Sequence, residues 1–336
     1  MTLKEIAREA GVSISTVSRV INSKTPKAAS KATQDKIWSI AEKRGYTPNS
    51  AAQALKKGSS KNASGSVAGI IDYIISGEHL TDNDPFYLEL ERAIQQEAFD
   101  NRYVIRRVSL QKGAFSSHAK GVILTDNYKI SANQYNILKR VYKHSIYVGI
   151  NPSKYDCDQV FCNAHSISEC AVKYLHSLHH THIGYIGKPT DTCFFAGYKN
   201  SLKKCGLPFH TSSTIITGTE TFNGVREAKC LLERNPGISA ILCTSDTIAA
   251  EMINAFTSIE KNVPNSISVV GIGDSLLAQS ISPLLTAIHI PIEELGSIAL
   301  KVLLDRIHTG HRLPLKVEVP FSLTKRESVS HSRNHL

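Results

Sequence analysis

Two kinds of apolar spacing divide the chain. Within residues 3–22, LKEIAREAGVSISTVSRVIN, Ile6, Ala7, Ala10 and Val12 form one apolar set and Val17, Val20 and Ile21 a second, each at helical spacing. Gly11 stands between them, where a helix end calls for a residue that tolerates positive φ. Ser13 offers an N-cap oxygen for the next helix. With Val17, Val20 and Ile21 turned inward, Ile14, Ser15, Ser18, Arg19 and Asn22 are left to face outward. Ser30 caps a third helix over roughly 31–44, with Ile37, Ile40 and Ala41 inward and Trp38 half-buried, and Gly45 ends it. After the break at Tyr46-Thr47-Pro48, Asn49 caps a short helix, SAAQALKK, ahead of the Gly/Ser-rich stretch GSSKNASGS.

From Val67 onward the spacing changes to short apolar runs alternating with amphipathic stretches. The pattern predicts strands at 67–75, 103–110, 121–125, 146–150, 183–187, 240–245 and 267–273. Helices are expected at 87–100, 132–143, 166–179, 193–205, 222–234 and 246–259. This is the rhythm of parallel α/β units, and the units suffice for two doubly wound lobes. The predicted fold class is therefore α/β, an all-α helix-turn-helix head followed by a two-lobed core of parallel sheets. Ligands are expected at the carboxyl ends of the strands, in the cleft between lobes.

Charge separates the two regions further. Residues 1–61 hold twelve Lys and Arg against four acids, so eight of the chain's ten net positive charges lie there. Such a field suits a phosphate-binding module, and a short helix with small polar residues and an arginine on its free face fits the major groove of DNA. The whole chain is 41% hydrophobic and 20% charged, ordinary for a globular protein. It has no apolar run near the ~20 residues that span a bilayer, and it opens on LKEIAREA rather than a signal peptide. Seven scattered cysteines read as reduced thiols, and the expected location is the cytoplasm. His176, His179, His180 and His182 lie close together, but no cysteine or carboxylate spacing completes a metal site. No nucleophile elbow, P-loop or dinucleotide fingerprint occurs, so neither catalysis nor a cofactor is expected. The chain ends without apolar heptads, which argues for a dimer rather than a coiled-coil tetramer.

The segments LKEIAREAGVSISTVSRVIN and ASKATQDKIWSIAEKRGYTPNSAAQALKKG resemble the head and hinge of the lactose/galactose repressor (LacI/GalR) family, and NDPFYLELERAIQQEA, CTSDTIAAE, ISVVGIGDS and ISPLLTAIHIPIEELG continue the likeness. The resemblance implies a helix-turn-helix DNA-binding domain at 1–46, a hinge helix and linker at 47–60, and an effector-binding and dimerisation core at 61–336, like periplasmic sugar-binding proteins. It implies a homodimer on palindromic operator DNA, whose affinity a small molecule in the interlobe cleft changes allosterically. By position, Ile14, Ser15 and Arg19 read base edges, while Thr16, Ser18 and Asn22 meet the phosphate backbone. In the hinge, Asn49, Ala52, Leu55 and Lys56 are the expected DNA contacts, with Leu55 as a minor-groove wedge.

For the effector, the resemblance points to Asp84, Phe86, Tyr87, Phe194, Asp246 and Asp274, with Phe86 stacking on the ligand. Asp246 opens a helix, and capping is its stronger claim on spacing alone. Two positions depart from the family. Phe194 stands where an arginine is usual, and Gly271-Ile272-Gly273-Asp274 replaces Gly-Phe-Asp-Asp, so the first acid is missing. The expected function is a repressor of a carbohydrate-utilisation operon, released by a sugar or sugar-phosphate. The alternatives are a sugar-binding protein or enzyme sharing the core fold, or a regulator using a corepressor such as a purine. Arg19→Ala is expected to relax base preference by about 1–3 kcal/mol at one operator position without loss of fold. Unchanged selectivity in a binding-site selection would reject that role.

Overall fold

In the computed structural model, α1 spans Leu3–Ala10 and ends at Gly11, whose φ is 72°. The Val12 N–H reaches back to the Ala7 carbonyl at 3.0 Å, closing the helix in a Schellman-type turn. The structure describes residues 3–14, 16–17, 20, 29–43, 67–75, 85–110, 113, 115–125, 130–217 and 222–332. It divides into two compact units, Met1–Ala68 and Gly69–Leu336. In the first, Ser13 Oγ accepts the Thr16 N–H at 3.1 Å, and Ser30 Oγ accepts the Thr33 N–H at 3.3 Å at the start of α2, Lys31–Lys43. Ile6, Ala7, Ala10, Val17, Val20 and Ile37 bury one another, with Val12 and Ile40 packed against them. Ile21, the side chains of Trp38 and Ala41, and the hinge helix lie outside the described residues.

The second unit is built on two six-stranded sheets. The first contains β1 (Gly69–Ile75), β2 (Tyr103–Ser109), β3 (Gly121–Leu124), β4 (Ser145–Gly149), β5 (Asp158–Phe161) and β11 (Lys316–Glu318), in the order β11-β5-β4-β3-β1-β2. The second contains β6 (Ile183–Gly187), β7 (Thr214–Ile216), β8 (Ala240–Cys243), β9 (Ser268–Gly273), β10 (Thr286–His289) and β12 (Ser322–Thr324), in the order β12-β10-β9-β8-β6-β7. Central strands such as β3, β6 and β8 are buried along their whole length, as strands covered on both faces must be. The helices are α3 (Pro85–Asp100), α4 (Ala132–Val141), α5 (Ala164–Ser177), α6 (Thr192–Lys204), α7 (Gly224–Arg234), α8 (Asp246–Ser258) and α9 (Ile292–Ile307).

Three findings depart from the sequence reading. First, β12 pairs antiparallel with β10, so the second sheet is not wholly parallel. The chain arrives from the carboxyl end of β11 at the carboxyl end of β10, and can only run back. Second, β5, β7, β10, β11 and β12, each three or four residues long, were not expected. Third, α9 follows a strand of the second sheet but packs on α3 of the first lobe. A Cβ at Gly296 would lie 2.8 Å from Ala93 Cβ and 3.1 Å from the Leu90 carbonyl, so only glycine permits this approach. The apolar positions of α9 (Ile292, Leu295, Ala299, Leu300, Leu303 and Leu304) have the helical spacing that would have revealed it. Ile71, Val148, Val270 and Ile288, from both sheets, belong to one apolar cluster.

Buried charge pins the edges. Asp158, fully buried, accepts from Arg306 Nη2 at 2.7 Å, from Arg306 Nε, from the Leu315 N–H at 2.8 Å and from His311 Nε2 at 3.0 Å. His311 Nδ1 meets Asp305 at 2.6 Å, so both ring nitrogens face carboxylates. Burial opposes the charged ring, but the bonds to Asp305 and Asp158 outweigh it and raise the His311 pKa above 6.5. A raised folded-state pKa stabilises fully below the ordinary value, and that contribution fades as pH rises through the folded value. The gap in urea stability between the wild type and His311→Gln is therefore expected to be widest below pH 6.5 and to shrink above it. A gap that stays constant across that range would contradict this account.

Candidate functional site

In the first unit, the cap at Ser13 starts a helical segment that contains Ile14, Thr16, Val17 and Val20. Val17 and Val20 are buried, while Ile14, in the first turn, is 44% exposed. A large apolar side chain left in water beside a capped helix start is suited to contact with a base edge or a thymine methyl. Thr16 is half-buried, and its hydroxyl lies 2.8 Å from that of Ser13. The remaining expected DNA contacts, Ser15, Ser18, Arg19, Asn22, Asn49, Ala52, Leu55 and Lys56, lie outside the described residues.

In the second unit, three segments pass between the lobes: 161–164 between β5 and α5, 289–292 between β10 and α9, and 318–322 between β11 and β12. All three leave strands at their carboxyl ends, so the carboxyl ends of both sheets flank a shared cleft. Cys162 Sγ–H donates to the Val319 carbonyl at 3.2 Å and joins two of these segments. On the first-lobe side, Phe86 and Tyr87 open α3 as a T-shaped pair with centroids 5.2 Å apart, both half-buried. Asp84 lies outside the described residues.

On the second-lobe side, Ser245, not Asp246, caps α8: its Oγ accepts the Ile248 N–H at 3.2 Å. Asp246 is the first helical residue. Its Oδ2 accepts the Ser275 N–H at 2.6 Å, and its buried Oδ1 has no hydrogen-bond partner among the described residues. Burial pushes the Asp246 carboxyl above its usual range, against the lowering effect of the Ser275 N–H. Two glycines make room for it. A Cβ at Gly271 would stand 2.9 Å from Asp246 Oδ1, and one at Gly273 3.0 Å from Oδ2. The missing acid at position 273 thus has a physical counterpart in a neighbouring carboxyl that fills its place.

Two expected ligand groups are occupied by the protein. Phe194 is 9% exposed within the main apolar cluster, where its ring packs as core. Asp274 Oδ1 accepts from Arg326 Nη2 at 2.5 Å, and its Oδ2 accepts from the Thr324 hydroxyl at 3.0 Å. The structure also adds Asp191 and Thr244, not singled out from sequence. Asp191 Oδ2 accepts the Lys188 N–H at 2.8 Å and the Thr244 hydroxyl at 2.6 Å, tying the loop after β6 to the end of β8. The run KPTDT before α6 carries the only sequence signal for it, an acid at a helix start.

Within the histidine cluster, His180 has a structural role. His180 Nε2 faces the Ser330 carbonyl at 2.9 Å and therefore carries the proton, so Nδ1 accepts from the Ser239 hydroxyl at 2.9 Å. Among the described residues no group of three or more His, Cys, Asp or Glu is arranged for a metal. A polar depression of about 130 Å³ beside His180, Ser239, Ser266 and His331 lies at the amino ends of the second-lobe strands, away from the cleft. All seven cysteines are free, and no described helix is long and apolar enough to cross a membrane.

Residues 2–49 match the family model of bacterial regulatory proteins, lacI family, and residues 172–329 that of the periplasmic binding protein-like domain. The ribose operon repressor of Escherichia coli (strain K12) is 29% identical over 325 residues, covering 91% of this chain and 93% of that protein. A transcriptional regulator CelR–cellobiose complex superposes with a TM-score of 0.67 at 22% identity, covering 98% of this chain and 99% of that one. The lac repressor dimer bound to operator and an anti-inducer gives 0.65 at 21%, with the same coverage. At these identities the two solved structures speak for the fold.

The crowding around Asp246 yields a test. Gly273 has φ 136°, a region that side chains avoid. Gly273→Asp is expected to lower unfolding stability by about 1–3 kcal/mol through strain and displacement of the Asp246 carboxyl. An unchanged urea midpoint would refute the proposed fit.

Proposed function

The chain belongs to the lacI family of bacterial regulatory proteins, and from that premise we propose that it is a sequence-specific DNA-binding repressor of a carbohydrate-utilisation operon. A sugar or sugar-phosphate in the interlobe cleft releases it from operator. The observation that carries the reading is the capped second helix of the head, with Val17 and Val20 buried and Ile14 left in solvent. Eight of the ten net positive charges on the same 61 residues supply the attraction to phosphate. In this reading residues 1–46 bind DNA, 47–60 form the hinge, and 61–336 bind effector and dimerise.

The lac repressor in the solved complex is a dimer on operator, and a dimer on a palindromic site is the proposed working form here. The proposed location is the cytoplasm, with no catalytic role. Sugar as the ligand class is supported by the similarity to a ribose operon repressor and by the cellobiose complex of a structural neighbour. A second reading keeps the regulator and makes the ligand a corepressor such as a purine. The Phe86–Tyr87 pair, with ring planes at 87°, favours it by offering aromatic surface to a flat ring.

Binding to a palindromic duplex selected by this chain tests the first step. Affinity is expected to fall by ~10³–10⁵ between ~50 and ~200 mM salt if six to ten phosphates are neutralised. A flat salt response would sink the repressor reading. Titrating ribose, cellobiose and adenine into the complex separates sugar-driven release from purine-driven tightening.

A further inference from the structure

The carboxyl-terminal segment touches both lobes and the rim of the cleft. It leaves the first lobe at β11, where the Leu315 N–H is held by Asp158 at 2.8 Å. It then crosses at residues 319–321 and enters the second lobe at β12. There the Thr324 hydroxyl donates to Asp274 Oδ2 at 3.0 Å and Arg326 Nη2 to Asp274 Oδ1 at 2.5 Å. The second guanidinium arm, Nη1, donates to the Leu285 carbonyl at 2.6 Å, and the Arg326 N–H donates to the Thr286 hydroxyl at 2.9 Å. The side chains of Asp274 and Arg326 are only 9% and 15% exposed, so the pair is largely withdrawn from water.

Asp274 sits at φ 63° in the rim turn, one residue before the Ser275 N–H that Asp246 holds. The β10 crossing meets the same turn. The Ile290 N–H donates to the Gly273 carbonyl at 3.4 Å, and His289 Nδ1 lies 3.5 Å from Asp274 Oδ2. The third crossing is tied to this segment through the Cys162–Val319 bond. Asp274 therefore ties the rim turn to β12, just beyond the 318–322 crossing, and lies beside His289 where the β10 crossing begins; the 161–164 crossing joins the segment leading into β12 through Cys162 and Val319.

We propose that Asp274 is a positioning residue, paired with Arg326, that transmits movement of the cleft rim to the interlobe crossings. The inference rests on the effector-cleft reading above. A ligand shifts a two-state hinge only by its differential contacts in the two arrangements. A rim turn fixed to the crossings by a shielded ion pair makes such contacts felt at the joints. Breaking one partner of a shielded pair leaves the other uncompensated, so the joints loosen.

Hydrogen exchange of the full chain, without ligand, tests this with Asp274→Asn, Arg326→Met and the double variant. Each single variant is expected to raise exchange at least about tenfold in 290–292, 319–324 and the more remote 161–164, with the double variant no faster than either. If the charge variants do not fold, Thr324→Val removes one bond to Asp274 and should loosen the same segments less. Exchange that changes only at 273–275 and 324–326, or effects that add, would overturn the proposal as a merely local pair. Loss of ribose or cellobiose binding in Asp274→Asn but not in Arg326→Met would overturn it in favour of a direct ligand contact. If the wild-type chain binds no sugar, the sugar reading fails while the exchange result still decides the coupling.

Discussion

The burial of α9 on α3 is the contact on which the core depends. Helix α9 follows β10 of the second sheet, yet Leu295, Ala299, Leu300 and Leu303 are buried in an apolar cluster that includes Leu90 and Ile94 of α3. That exchange forces the chain across at the carboxyl end of β10, where β5 and β11 also cross. Because all three crossings leave strands at their carboxyl ends, the cleft forms there and nowhere else along the sheets. Gly296 is the smallest detail of this arrangement and a necessary one, since a Cβ there would meet Ala93 Cβ at 2.8 Å. Burial of this apolar face is the driving force that holds α9 on the first lobe.

At the cleft, carboxylates from three elements bond to neighbouring segments of the wall. Asp246 fits into the space opened by Gly271 and Gly273 and secures the Ser275 N–H. Asp274 is taken up by Arg326 and Thr324. Asp191 joins the β6 loop to Thr244. These bonds join elements far apart in the chain where the rim meets the crossings. On the opposite lobe, Phe86 and Tyr87 form a T-shaped aromatic pair, with Phe86 packed against the main apolar cluster.

The DNA-reading head rests on different physics. Among the described residues its buried cluster is six residues, and its helices are defined by local devices: the positive-φ Gly11, the Val12-to-Ala7 bond, and the Ser13 and Ser30 caps. Each acts over five residues or fewer.

That difference in range decides what the sequence determines alone. The head's turn and caps are legible residue by residue because their partners lie within a few positions, and its inward set is legible from helical spacing. The strands and helices of the core are legible to within two residues wherever a buried run is long enough to show its period, as in Ile183–Gly187 and Asp246–Ser258. Tertiary structure decided the rest. Three-residue edge strands carry no period, and the direction of β12 follows from where the chain arrives rather than from its residues. Asp274 reads as a ligand group until Arg326, 52 positions away, is folded against it. Phe194 reads as a lost arginine until the apolar cluster closes around it. A side chain's chemistry is written in the sequence, but its partner is chosen by the packing that brings distant segments together.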